Sequence, residues 1–218
     1  MTEHHFAVRR TARYYQLGEL RPATRELWVV CHGYGQLASY FSRHFAFLVE
    51  NDPQTVVVAP EGLSRFYLNG TSGRVGASWM TREDRLTEIQ DHIAFLNQLL
   101  DSLLTQCAAD VKITVLGFSQ GTATISRWLV QPGRHWPLHK LVLWAGSFPE
   151  DIAPDAAQAL LSAQPVTLVC GRQDEYISPE KLLQQADTLR HLGASLSLRQ
   201  FDGGHELNRE VLQQLANK

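Results

Sequence analysis

Short, nearly continuous apolar runs alternate along the chain with longer stretches in which apolar positions recur every three or four residues. The runs are Leu27-Trp28-Val29-Val30-Cys31, Thr55-Val56-Val57-Val58-Ala59, Lys112 to Leu116, Leu141-Val142-Leu143-Trp144 and Val166-Thr167-Leu168-Val169-Cys170. A strand covered on both faces needs apolar side chains on both, so these runs predict a mostly parallel sheet rather than a half-solvated antiparallel one. Tyr14 to Leu20 predicts an edge strand, and the alternation from Ser195 to Phe201 predicts the last strand. Between the runs lie segments of helical period. The plainest is Glu83 to Cys107, where Ile89, Ile93, Leu96, Leu100, Leu103 and Leu104 are spaced three and four apart. Strands alternating with crossover helices predict an open, doubly wound α/β sheet flanked by helices, with functional groups at the carboxyl ends of the strands.

Composition narrows this picture. With 218 residues, 44% of them hydrophobic, the chain is long enough to bury one large core and too short for two ordinary domains, so residues 1–218 are expected to form a single domain without a large cap. Its 20 basic and 22 acidic residues leave a net charge of -2, which supplies no electrostatic reason to bind nucleic acid or an anionic membrane. Met1-Thr2-Glu3-His4-His5-Phe6 lacks the apolar stretch of a signal peptide and no apolar run approaches a membrane span; a cytoplasmic protein without stable membrane insertion is expected. Cys31, Cys107 and Cys170 are odd in number and widely separated, and read as small buried hydrophobes in a reducing compartment. Without a C-x-x-C pair or an H-E-x-x-H string, no metal site is expected. Nothing in the pattern sets an oligomeric state.

Candidate chemistry begins at Gly117-Phe118-Ser119-Gln120-Gly121, which follows the run ending at Leu116 and leads into a helix-like segment. A serine on a strand-to-helix turn sits in strained backbone with its hydroxyl presented at the top of the sheet, and the flanking glycines are needed because a Cβ there would collide with neighbouring backbone. Asp174 falls just past the end of the run at Val166 to Cys170, and His205 just past Phe201, behind two glycines. The order serine, acid, histidine, each at a strand's carboxyl end, is the order α/β-hydrolases use. Glu175 and Asp202 compete with Asp174 for the acid; Glu175 also reads as a solvated neighbour and Asp202 as a cap of the final helix. Of the other histidines, His4 and His5 fall at a frayed end, His44, His92 and His191 in helix-like stretches, His135 and His139 in a loop, and His32 before a turn; all read as surface, packing or structural residues. An oxyanion needs donors as well. In His32-Gly33-Tyr34-Gly35-Gln36 the glycines let backbone N–H groups turn inward, so the amides of Tyr34 and Gln120 are the expected pair.

These strings resemble the phospholipase/carboxylesterase family, which includes acyl-protein thioesterases and small bacterial carboxylesterases. The residues that carry the resemblance are His32-Gly33-Tyr34-Gly35, the Phe118 and Gln120 inside the Ser119 motif, Gly171-Arg172-Gln173-Asp174, Phe201-Asp202-Gly203-Gly204-His205, and Trp79 before the long helix. It covers the chain from about Leu27 to the end, and implies an α/β-hydrolase fold. Departures are Gln36, where many members have an acidic residue or glycine, Thr122, where a further glycine usually stands, Met80-Thr81, where Phe-Asp is common, and Cys170, which replaces a common histidine.

The long connection from Pro60 to Arg82 is a candidate for specificity, because loops of that length are uncommon without a function. Its Leu63, Phe66, Trp79 and Met80, together with Phe148 and Ile177 at two other strand ends, are expected to line an acyl or aryl pocket. The sequence thus predicts a serine hydrolase that cleaves small carboxylic esters or thioesters of short to medium acyl groups through Ser119, His205 and Asp174, with no metal or organic cofactor. Two alternatives are a small-molecule binding protein on a hydrolase scaffold and an acyltransferase using the same nucleophile.

Overall fold

A computed structural model describes residues 1–217. Strand β1 (Tyr14–Leu17) leads to β2 (Glu26–Cys31), and two short helices, α1 (Ala38–Phe41) and α2 (Ala46–Asn51), joined by a 3-10 turn over Ser42–Phe45, cross to β3 (Thr55–Pro60). A hairpin of β4 (Ser64–Tyr67) and β5 (Val75–Ser78) precedes the long helix α3 (Arg85–Leu104). Strand and helix then alternate through β6 (Lys112–Phe118), α4 (Gln120–Leu129), β7 (Leu138–Trp144), α5 (Pro154–Leu161), β8 (Val166–Gly171), α6 (Pro179–His191), β9 (Leu196–Phe201) and α7 (Arg209–Ala216).

Seven strands form one sheet in the order β1-β3-β2-β6-β7-β8-β9. The first runs antiparallel to β3, with Tyr14 opposite Pro60, and every other pairing in this sheet is parallel. Successive side chains of a strand point to opposite faces, which splits the apolar runs into two core layers. On one face Val29, Val58, Val115, Leu143 and Leu168 meet α3, α4, α5 and α6. On the other, Val30, Val57, Leu116, Val142 and Val169 meet Phe41, Phe45 and Leu48 and, from α7, Val211 and Leu212. The three-and-four spacing of α3 is satisfied by Leu96, Leu100 and Leu103, each almost fully buried and each stabilising by about 1.5–3 kcal/mol. Because β2, β6, β8 and β9 run in the same direction, the residues that follow them emerge at one edge of the sheet.

Three local expectations are corrected. The connection from Pro60 to Arg82 is not an irregular loop, since β4 and β5 pair antiparallel within it, Ser64 opposite Ser78 and Tyr67 opposite Val75. His139 lies inside β7, not in a loop. The cap of α7 is Asn208, whose Oδ1 accepts from the Val211 amide at 3.1 Å, while Asp202 is exposed and lies 3.4 Å from Arg172. Asp202 stands too far ahead of Arg209, where the helix begins, to reach its free amides.

Glu61, next after β3, ties three segments together with a fully buried carboxylate. Oε1 accepts from Arg13 Nε and Nη2 at 2.9 and 2.6 Å and from Arg65 at 3.4 Å, and Oε2 accepts from the Ala38 amide at the start of α1 at 3.2 Å. Glu61→Ala leaves these donors without an acceptor and is expected to lower stability by about 2 kcal/mol, read from urea unfolding midpoints. An unchanged midpoint would contradict this role.

Candidate active site

The turn between β6 and α4 is one residue long. Ser119 occupies it at φ 53°, ψ -116°, a conformation that costs a side-chain-bearing residue about 1–3 kcal/mol and that the surroundings must therefore impose. Close backbone approach does so. A Cβ on Gly117 would run into the Gly121 carbonyl, and one on Gly121 would run into the Cys31 carbonyl at the end of β2. Hydrogen bonds complete the constraint: the Ser119 amide donates to the Trp144 carbonyl at 2.8 Å, and the Thr122 hydroxyl donates to the Gly117 carbonyl at 2.8 Å.

His205 and Asp174 stand beside this serine. The Ser119 hydroxyl lies 2.8 Å from His205 Nε2, and His205 Nδ1 donates to Asp174 Oδ2 at 2.9 Å. The buried carboxylate of Asp174 is held from several sides: Oδ1 accepts from the amides of Tyr176 and Ile177 at 2.9 and 3.1 Å, and the Cys170 thiol faces Oδ2 at 3.7 Å. Burial, and then the Asp174 charge, push the Cys170 thiol up to about 12, so it keeps its proton and acts as a donor. The His205 loop is anchored by the Trp144 indole N–H, which donates to the Glu206 carbonyl at 2.9 Å, and by the Gln173 amide on the Gly203 carbonyl at 2.9 Å. Glu175, the competing acid, instead accepts from the His205 amide at 3.3 Å. Such a chain of groups can draw the serine proton onto the imidazole while the carboxylate fixes the tautomer.

Facing Ser119 is the turn after β2. The Gly33 amide donates to Gln36 Oε1 at 2.8 Å, the Gln36 amide to the Gly33 carbonyl at 3.2 Å, and the Gly35 amide to the Ala77 carbonyl at 2.9 Å. Among the described residues, the amides of Tyr34 and Gln120 have no such partner. Buried His32 sets the turn's orientation. Its Nδ1 donates to the Gly33 carbonyl at 2.7 Å and its Nε2 accepts from the Gly62 amide at 3.0 Å, a pairing that requires the neutral ring, which burial also favours by lowering its pKa. In a trans peptide the N–H points opposite to the C=O, so holding the Gly33 carbonyl aims the Tyr34 amide the other way. Gln120 uses its side chain elsewhere: Oε1 accepts from the Trp79 amide at 3.1 Å and Nε2 donates to the Met80 carbonyl at 2.7 Å.

The expected pocket residues divide. Trp79 is not at the surface. It is 1% exposed, packs in the core and donates its indole N–H to the His32 carbonyl at 2.9 Å. Leu63, Phe66 and Met80 are half-buried; Phe66 lies 5.2 Å from the exposed Tyr34 ring, and Met80 has its sulfur 3.8 Å from Arg127. Phe148 and Ile177 are also half-buried, against the core layer that contains α4 to α6. Side chains the sequence did not single out include Trp144, Tyr176 and Arg127. Glu3, His5 and Asp84 form an exposed group of potential metal ligands, an arrangement common on protein surfaces without an ion. No helix of the described residues is long and apolar enough to cross a membrane.

A mostly parallel sheet with a strand-serine-helix turn and these strand-end residues defines an α/β-hydrolase. The family model for Phospholipase/Carboxylesterase matches residues 19–218, and the chain belongs to that family. It is accordingly a hydrolase of the carboxylesterase type. No curated protein sequence matches it. Among solved structures it is similar to esterase PE8, at 24% identity and a TM-score of 0.70 over 94% of this chain and 96% of that one. Acyl-protein thioesterase 2 of Zea mays aligns at 22% identity and a TM-score of 0.70, over 95% and 97%. A Bacillus cereus carboxylesterase aligns at 16% and 0.65, over 94% and 92%.

Behind the site, buried His92 of α3 donates Nδ1 to the Trp79 carbonyl at 3.4 Å, while its Nε2 has no partner. Burial lowers its pKa to about 4, with the nearby Arg127 charge adding to the effect. A histidine whose folded pKa lies below its unfolded value binds fewer protons when folded. Its stabilising contribution is therefore present above pH 6.5 and lost as pH falls towards 4. Between pH 7 and 4.5 the wild type is expected to lose roughly 2 kcal/mol more stability than His92→Gln, measured by urea unfolding at both pH values. Parallel losses would contradict this.

Proposed function

We propose that the protein hydrolyses carboxylic esters or thioesters of short to medium acyl groups through an acyl-enzyme on Ser119, with His205 as base and Asp174 as the group that orients it. The observation carrying this reading is that one imidazole lies within hydrogen-bonding distance of both the Ser119 hydroxyl and the buried Asp174 carboxylate. His205 Nε2 takes the serine proton as Oγ bonds to the carbonyl carbon. The oxyanion then lies between the Tyr34 and Gln120 amides, each such donor contributing about 3 kcal/mol in the transition state. Collapse breaks the bond to the alcohol or thiol, which leaves with the proton from His205. Water repeats the sequence on the acyl-enzyme, releasing the acid and restoring Ser119. Half-buried Leu63, Phe66, Met80, Phe148 and Ile177 form the apolar lining for the acyl group, and with no large cap over the site, small soluble esters fit best.

A fluorophosphonate probe is expected to label Ser119, located by peptide mass mapping, and a p-nitrophenyl ester and acyl thioester panel to peak at a short or medium chain. Ser119→Ala should abolish labelling and lower kcat by about 10⁴-fold or more. Undiminished turnover in that variant would refute the assignment, and a strong preference for long-chain emulsified lipid would refute the substrate class. Absence of labelling and turnover in folded protein would favour a binding role.

His32 gives a separate check on the oxyanion donors. His32→Ala is expected to lower kcat about 10- to 100-fold with KM changed by no more than about twofold, while His32→Asn, which keeps a donor near the Gly33 carbonyl, recovers most of the loss. Equal effects of the two variants would assign His32 a packing role alone.

A further inference from the structure

Two aromatic rings confine His205, and they are not equivalent. Phe118, with its ring centre 5.0 Å away, is 3% exposed and belongs to the core layer under the sheet. Tyr176 stands edge-on at 4.7 Å, its plane turned by 70°, and is 68% exposed. The Tyr176 amide holds Asp174, but that bond comes from the backbone and asks nothing of the side chain. Geometry of the acid therefore does not account for a large exposed ring at this position.

Chemistry supplies a reason, and it rests on the hydrolase reading above. The departing oxygen or sulfur must receive its proton from His205 Nε2, so the first atoms of the leaving group pass within hydrogen-bonding reach of the imidazole. The acyl chain leaves the same carbonyl carbon in a different direction. A ring that is packed on the imidazole and open to solvent is met by the alcohol or thiol half of the substrate. We propose that Tyr176 forms the leaving-group subsite and that it favours esters of aromatic alcohols and thiols, whose rings pack against it while the proton is delivered.

The test varies the two halves of the substrate separately in wild type, Tyr176→Leu and Tyr176→Phe. One series holds a butyryl group constant and compares phenyl, naphthyl and ethyl leaving groups; the other holds the phenyl leaving group and varies the acyl chain. Tyr176→Leu is expected to lower kcat/KM for the aryl esters about five- to tenfold relative to the ethyl ester, with Tyr176→Phe close to wild type. Deacylation of the butyryl-enzyme, followed by rapid quench and mass spectrometry, should not change, because the leaving group has already gone. Equal losses for aryl and ethyl esters would overturn the proposal, as would slowed deacylation, which would mean that the ring serves to orient His205. A shifted optimum of acyl length would place Tyr176 on the acyl side and overturn it too. Failure of every ester to acylate wild-type Ser119 would instead overturn the hydrolase reading, and this proposal with it.

Discussion

Backbone pressed against backbone at the end of the central strands is the constraint on which the site depends. Gly121 lies so close to the Cys31 carbonyl, and Gly117 to the Gly121 carbonyl, that neither position has space for a Cβ. Two things follow from that approach. Ser119 is held in a positive-φ conformation it would not adopt by itself, and the turn after β2, beginning at His32, is brought directly opposite the serine. The parallel sheet supplies the rest, since β8 and β9 end at the same edge and deliver Asp174 and His205 there.

Around this frame the residues that depart from the family pattern take up local hydrogen-bonding work. Gln36 folds back so that its Oε1 accepts from the Gly33 amide, which leaves the Tyr34 amide as the free one in the turn. Thr122, where a glycine is usual, turns its hydroxyl onto the carbonyls of Gly117 and Trp144 and so braces the serine turn from within α4. Cys170 offers a protonated thiol to the carboxylate that faces His205. Each of the three makes a supporting contact around the contacts among Ser119, His205 and Asp174.

Much of this was legible in the sequence, and the reasons differ by element. Parallel strands buried on both faces leave a composition signal strong enough to mark β2, β3, β6, β7 and β8, and a strand-end position is enough to bring Ser119, Asp174 and His205 to one edge. The hairpin was not legible because its strands, Ser64–Tyr67 and Val75–Ser78, are four residues each and flank a stretch of mostly small and polar residues, Asn69-Gly70-Thr71-Ser72-Gly73 among them. Trp79 was misplaced because apolarity says that a side chain seeks cover, not whether core or substrate provides it. Asp and Asn cap helices equally well, so choosing between Asp202 and Asn208 required knowing where α7 begins. Tyr176 carried no signal at all: a lone aromatic after an acid looks like any surface residue until the fold sets it against an imidazole.

The hairpin has a broader implication through its attachment. Ala77 of β5 accepts from the Gly35 amide and donates to the Gln36 carbonyl, so the hairpin carrying Phe66 and the turn carrying the Tyr34 amide are hydrogen-bonded to one another. A group seated against Phe66 therefore leans on a hairpin bonded to the turn that faces Ser119. Under the proposed mechanism, selection of an acyl group against Phe66 is expressed as turnover as well as affinity, and remodelling the hairpin to change selectivity also retunes the chemical step.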